Sequence, residues 1–375
     1  MKRIILAPDS FKGTMSSIKI CSIMEKEIEK QFPYAEIVKI PVADGGEGTV
    51  DCFLEALGGS RKTIRVRGPF FDEVDSFYGI LPDNRTAVVE MAAAAGLPLA
   101  GDRKDPALTS TYGVGQLILD AMGNGCRRFI LGLGGSCTND GGAGMAAALG
   151  VKFHTEDSAE FIPVGGTLNR IARIDTSGIP RDLQECEFIG MCDVDNPLCG
   201  EYGASAVYGP QKGADPEVVK LLDHNLAYFS GVLRDQLNKD VASVAGSGAA
   251  GGLGAGILSF LSADLRSGIN TVLDTVEFDA LLEEADIVFT GEGRLDGQSL
   301  RGKVVLGVAE RARVKNTPVI AVVGDIGDHI EEVYSRGVSA VVSINRVAVP
   351  FREAALRCEA DLADTMDMIL RLVRL

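Results

Sequence analysis

Three histidines, His154, His224 and His329, are all that this chain of 375 residues offers. None has partners nearby in sequence, so a zinc centre or a Ser-His-Asp triad lacks material. The eight cysteines include no C-x-x-C pair, and the closest three, Cys186, Cys192 and Cys199, lie too far apart for a zinc knuckle. They read as reduced, small hydrophobes. Basic charge is also scarce: 37 Lys and Arg against 52 Asp and Glu leave a net charge of −15, and no basic run exceeds a few residues. Counterion-release binding would have to overcome that field, which argues against a nucleic-acid partner. The longest apolar stretches are strand-sized and broken by glycine or charge, and Met1–Pro8 is too short for a signal h-region. The expectation is a cytoplasmic, uncleaved protein with no membrane partner. No internal repeat, heptad or low-complexity tract stands out.

What the chain does have is glycine and acid. Forty-five glycines and 52 acidic residues suit a site that binds metal and phosphate through oxygen and backbone. The length exceeds one comfortable core, so two domains are expected. Strand-like Arg3–Ala7, amphipathic Ser16–Gln31 (Ile20, Ile23, Met24, Ile28) and strand-like Ala35–Ile40 make a βαβ opening. The rhythm returns in Asp286–Phe289, Val304–Arg313, Pro318–Val323, Ile330–Arg336, Val338–Ile344 and a helix from about Phe351 to Leu375. Both chain ends, residues 1–62 and 283–375, thus read as one parallel-sheet α/β domain. Between them, Lys62–Arg67 and Glu73–Leu81 alternate as half-solvated antiparallel strands do, and residues 63–282 read as an inserted mixed α/β domain. Its long helix, Pro216–Leu237, follows a candidate cap at Asp215. The glycine-rich loops are expected to converge in the cleft where the two domains meet.

Six loops carry the chemistry. Asp9, Ser10 and Lys12 offer a carboxylate, a hydroxyl and a cation before the first long helix, although a capped βα turn with an exposed lysine reads equally well. Asp44-Gly45-Gly46-Glu47-Gly48 exposes backbone beside two carboxylates, more glycine than an ordinary turn needs. Gly132–Gly144 is the densest polar-glycine loop; tight packing alone does not explain Ser136, Thr138, Asn139 and Asp140 together. Asp193 follows the apolar Phe188–Met191 run, a standard position for a Mg²⁺ ligand or a base, whereas Asp195 and Asn196 fit Asx-Pro turn chemistry. Lys212 lies just beyond, in Tyr208-Gly209-Pro210-Gln211-Lys212-Gly213. Gly246–Gly256 fits either function or close helix packing. Thr290–Lys303 joins a strand to a helix, a phosphate-binding arrangement. Its Gly297–Lys303 spells G-x-x-x-x-G-K, yet Val304 replaces the Ser or Thr of a P-loop, so it fails as a Walker A. Dinucleotide patterns begun at Gly132, Gly252 and Gly291 fail too, because Cys137, Ile257 and Asp296 stand where the third glycine belongs.

The segments APDSFKG, PVADGGEGT, GLGGSCTNDGGAG, CDVDNPLCG, YGPQKGA, GSGAAGGLGAG and TGEGRLDGQSLRGK stand in the order found in the type I glycerate kinase family, which the whole chain resembles. Gly13 and Thr14, where Glu and Ser are common, and Cys137, where Ala is common, are mild departures that remove no charged group. The resemblance implies a flavodoxin-like domain from both chain ends with an inserted second domain, and transfer of the ATP γ-phosphoryl group to D-glycerate, giving 2-phospho-D-glycerate with Mg²⁺. A kinase for another small hydroxy acid, or a sugar-acid sensor, are the alternatives; retention of Asp193, Asp296, Lys12 and Lys303 argues against a sensor. Homo-oligomerisation is left open.

The roles follow from what phosphoryl transfer requires. Asp193 is the first candidate for base or metal ligand and Asp296 the second. Lys303, with Gly291, Gly293 and Gly302, is placed on the triphosphate or facing the substrate. Asp44 and Glu47 are metal or hydroxyl contacts. Lys12, with Ser10 beside it, competes with Arg294 and Arg301 for the glycerate carboxylate. Gly134, Gly135, Ser136, Thr138, Asn139, Asp140 and Lys212 are expected on nucleotide, phosphate or substrate.

Overall fold

The computed structural model describes residues 1–297 and 304–374, and the chain forms two compact units. The first comprises Met1–Ala43, Asp51–Leu57 and Ile269–Leu375, the second Asp44–Val50 and Gly58–Gly268. The units divide after Leu57 and after Gly268, and the short segment Asp44–Val50 belongs to the second unit although its neighbours on both sides belong to the first.

The first unit is a five-stranded parallel sheet, ordered Val338–Ser343, Val319–Val323, Ile287–Gly291, Arg3–Pro8 and Glu36–Lys39. Its central strands are apolar apart from Arg3 and Thr290, as strands covered on both faces tend to be. Helix Ser17–Gln31 starts where the Ser16 hydroxyl accepts from the Lys19 amide, and it buries Ile20, Ile23, Met24 and Ile28, the stripe its periodicity shows. That stripe joins Leu362, Met366 and Ile369 of helix Phe351–Val373 in one core over Ile4, Leu6, Phe289 and Val322.

The second unit holds a six-stranded mixed sheet, ordered Asp264–Arg266, Glu187–Met191, Arg128–Gly132, Thr86–Glu90, Glu73–Ile80 and Ser60–Arg67. The first four are parallel, and the hairpin Ser60–Ile80 closes one edge antiparallel. The alternating sequence of that hairpin is why it sits at an edge. Helix Pro216–Leu237 is capped by Asp215, which accepts from the amides of Glu217 and Val218, and it buries Leu222, Leu226, Phe229 and Leu233. No helix of the described residues is long and apolar enough to cross a membrane.

One buried carboxylate organises the loop after strand Arg128–Gly132. Asp140 is fully buried and accepts from the Thr111 amide (2.8 Å), the Thr111 hydroxyl (2.9 Å) and the amides of Gly142 (3.1 Å) and Gly144 (3.2 Å). Burial pushes its carboxyl above the ordinary carboxylate range, against the pull of those donors. Asp140→Asn places an amide N–H₂ against donors and leaves at least one unpaired. The expected loss of stability is roughly 2–4 kcal/mol in urea unfolding. An unchanged midpoint would show that the four donors find other acceptors.

Candidate active site

Three strands of the second unit end level with one another. Glu90 pairs with Gly132, and Gly132 pairs with Met191, so the chain leaves the sheet side by side at Met91, Leu133 and Cys192. In open parallel sheets ligands bind outside these carboxyl ends. A fourth loop, Asp44–Val50, is laid against them. The Gly134 amide donates to the Gly45 carbonyl (2.9 Å), and the carboxylate of Glu90, almost completely buried, accepts from the Val50 amide (2.7 Å). A methyl group at Gly132 would lie 2.4 Å from the Gly45 oxygen, and one at Gly134 2.6 Å from the Gly46 Cα. Backbone here touches backbone.

The Gly246–Gly256 segment closes the far side. Ala250, Gly251 and Gly252 are consecutively left-handed, with φ of 53°, 66° and 88°. A Cβ at Gly251 would lie 1.9 Å from the Thr138 oxygen, so this turn, too, is a glycine-only approach. For an alanine such a conformation costs about 1–2 kcal/mol, and Ala250 lines the cavity described next. The window Gly246–Gly251 does spell G-x-G-x-x-G, which the patterns tried from sequence missed. It follows turns instead of a strand, so it lacks the βα context of a dinucleotide site.

These loops line a cavity of about 350 Å³, whose described lining residues belong to the second unit. Three carboxylates face it, Asp44, Glu47 and Asp193, together with Gly134, Gly135, Ser136, Tyr208, Gln211 and Lys212, over a floor that includes Leu133 and Met191. Asp193 accepts from the Gly268 amide (2.7 Å), which fixes its direction, and Asp44 accepts from the Gly46 amide (3.1 Å). Lys212 is 1% exposed and donates to the Thr138 carbonyl (2.7 Å). Burial lowers its pKa to about 8, opposed by Cys137 and Asp140. The Tyr208 hydroxyl donates to Asn196 Oδ1 (2.7 Å). Burial raises the pKa of the Cys192 thiol, so it does not present a ready thiolate. Acidic oxygens, backbone amides and one buried cation in a small cavity can hold an anion and take a proton from a hydroxyl.

The family model described as the glycerate kinase family matches residues 4–374. The chain belongs to the glycerate kinase family. The family resemblance drawn from seven ordered loops is thereby borne out, and the chain is a kinase. It is 46% identical to the glycerate kinase of Halalkalibacterium halodurans over 92% of this chain and 91% of that one. It is 43% identical to the glycerate 2-kinase of Escherichia coli K12, over 91% and 90%. A solved structure of a candidate glycerate kinase 2 from Salmonella typhimurium LT2 matches with a TM-score of 0.89 and 40% identity, covering 100% of this chain and 98% of that one.

Within this kinase the predicted residues separate. Asp44, Glu47, Gly134, Gly135, Ser136, Asp193 and Lys212 share the cavity wall. Thr138, Asn139 and Asp140 are fully buried and are not among the described residues lining the cavity. Asp140 is taken up by its four donors, Asn139 donates to Ser205 (3.0 Å), and Thr138 serves through its carbonyl. They shape the loop from behind.

Ser10, Lys12, Gly291, Gly293, Arg294 and Asp296 lie in the first unit, at or just after the paired strand ends Pro8 and Gly291. There the Asp9 amide donates to the Gly291 carbonyl (2.8 Å), the Asp9 carboxylate accepts from the Ser10 amide (2.6 Å), and Arg294 pairs with Asp296 at 3.5 Å. Gly291 is glycine for packing, since a Cβ would lie 1.9 Å from the Val322 oxygen. Arg301, Gly302 and Lys303 lie outside the described residues.

Sequence reasoning passed over Tyr208 and Gln211, although they flank Lys212 in a loop it had singled out, and over Glu90, whose role needs a contact 40 residues away. Gly132→Ala is expected to push the Asp44–Val50 loop outward and lower turnover about 100-fold, the cost of misplacing a site by about 1 Å. Parent-like turnover in a folded variant would show that this loop is not part of the site.

Proposed function

We propose that the protein transfers the γ-phosphoryl group of ATP to D-glycerate, forming 2-phospho-D-glycerate with Mg²⁺, as a cytoplasmic enzyme. The observation that carries the reading is the meeting of Asp193, Asp44, Glu47 and buried Lys212 in one glycine-walled cavity, in a chain whose relatives are named glycerate kinase and glycerate 2-kinase. The strand order of the first unit, 2-1-3-4-5 when its strands are counted along the chain, supports a flavodoxin-like domain carrying an inserted one.

Asp193 is the base. It stands at the end of a buried strand, is oriented by the Gly268 amide, and faces the cavity where a substrate hydroxyl would give up its proton. The amides of Gly135 and Ser136, residues of the cavity wall, stabilise negative charge that develops on transfer. Asp44 and Glu47 are oxygen donors suited to Mg²⁺, which is commonly held by one or two carboxylates plus substrate phosphates. When bound, Mg²⁺ neutralises charge on the phosphate oxygens. In the first unit, Lys12, Ser10, Arg294 and Asp296 remain candidates for contacts to substrate or phosphate.

Asp193→Asn keeps an acceptor for the Gly268 amide and removes the base. Glycerate-dependent ADP release is expected to fall at least ~100-fold with an unchanged melting temperature. Turnover within a few-fold of the parent would remove Asp193 from the chemistry.

A further inference from the structure

Lys212 closes the short helical turn Pro210–Lys212, and Gly213 after it has φ of 101°. A Cβ at Gly213 would lie 2.5 Å from the Lys104 oxygen, so the turn is locked by a contact that glycine alone permits. The lock sends the lysine inward. Its ammonium donates to the Thr138 carbonyl, and the residue lines the cavity while keeping 1% of its surface exposed.

Among the described residues, the Thr138 carbonyl is the hydrogen-bond acceptor that Lys212 has, and no carboxylate pairs with it. Asp140 contributes to its field from a distance, but both Asp140 oxygens are engaged by donors elsewhere. A buried ammonium satisfied by one neutral oxygen is costly unless an anion arrives to complete it. The rest of the wall narrows the choice of anion. Without a metal, Asp44, Glu47 and Asp193 disfavour a polyanion, Lys212 is the one basic residue among the described residues lining the cavity, and about 350 Å³ is at the small end for a ligand pocket. Such a cavity suits a small acid with one negative charge.

We infer that Lys212 is the group that receives the carboxylate of the substrate, setting the specificity for an acid and turning its hydroxyl toward Asp193. The inference rests on the proposed reaction for the identity of that acid, D-glycerate, and the alternative source of the same contact is a phosphate oxygen of ATP.

Protonation accompanies this contact. In the free protein burial brings the Lys212 pKa down to about 8, with Cys137 and Asp140 opposing. Cys137 is itself pushed up to about 12 by burial and stays a neutral thiol. Asp44, Glu47, Asp193, Cys192 and Tyr208 line the same cavity. A carboxylate against Nζ favours the charged lysine, so its pKa rises on binding. Above pH 8 the complex therefore takes up a proton, and at pH 6.5 it takes up almost none.

The test is calorimetric titration of the full chain with D-glycerate and, separately, with ATP, at pH 6.5 and pH 9 in buffers of different ionisation enthalpy. For the parent, D-glycerate should bind about tenfold more weakly at pH 9 and take up close to one proton there. Lys212→Met should weaken D-glycerate binding roughly 100-fold and abolish the pH dependence, with ATP affinity changed less than about threefold. Lys212→Arg, charged at both pH values, should keep part of the affinity and lose the proton uptake. Loss of ATP affinity with D-glycerate binding intact would assign Lys212 to phosphate and overturn the inference, as would normal binding of both. If the parent binds D-glycerate with proton uptake but does not phosphorylate it, the proposed reaction fails and this inference stands. If a Lys212→Met variant binds D-glycerate normally and phosphorylates it, the inference fails and the proposed reaction stands.

Discussion

The site depends on backbone approaching backbone at distances that exclude a Cβ. Gly132 and Gly134 at the end of one strand meet Gly45 and Gly46 of a loop that arrives from elsewhere in the chain, and Gly251 meets the Thr138 carbonyl on the opposite side. Side chains would hold these segments several ångströms apart and cover their amides. Glycine leaves the amides available to an anion and brings Asp44 and Glu47 within the same cavity as Asp193. The glycine content of the chain is thus a requirement of the site more than of its loops' flexibility.

Around that frame the charges are sorted by burial. The acids stand at the cavity surface, each tied to a backbone amide or placed on a glycine turn, where water and ligand can satisfy them. The lysine is buried within the wall, and Asp140 holds the loop through four donors. Burying Asp140 is tolerable because every donor it needs is supplied locally; exposing Asp193 is useful because a base must meet its substrate.

Much of this was legible in the sequence because its signals are local. The stripe Ile20, Ile23, Met24 and Ile28, the Asp215 cap and the apolar strands of the first unit follow from periodicity and capping within a few residues. Asp193 was found because it follows a buried strand, and Asp44 and Glu47 because they sit among more glycines than a turn needs. What was not legible required distant contacts. The partners of Thr138, Asn139 and Asp140, namely Lys212, Ser205 and Thr111, lie 29 to 74 residues away. The transfer of Asp44–Val50 to the second unit is likewise invisible in composition, since its anchors are the Glu90 carboxylate and the Gly45 contact with Gly134.

The roles assigned to Asp193 and Lys212 turn on what the cavity phosphorylates and where. Incubation with ATP, Mg²⁺ and D-glycerate, followed by phosphorus NMR of the product against a control without glycerate, reads both at once. A single glycerate-dependent signal from the 2-phosphate is expected. A 3-phosphate would keep the kinase but contradict the geometry assigned to Asp193 and Lys212, and no glycerate-dependent product from folded protein would contradict the proposed function as a whole.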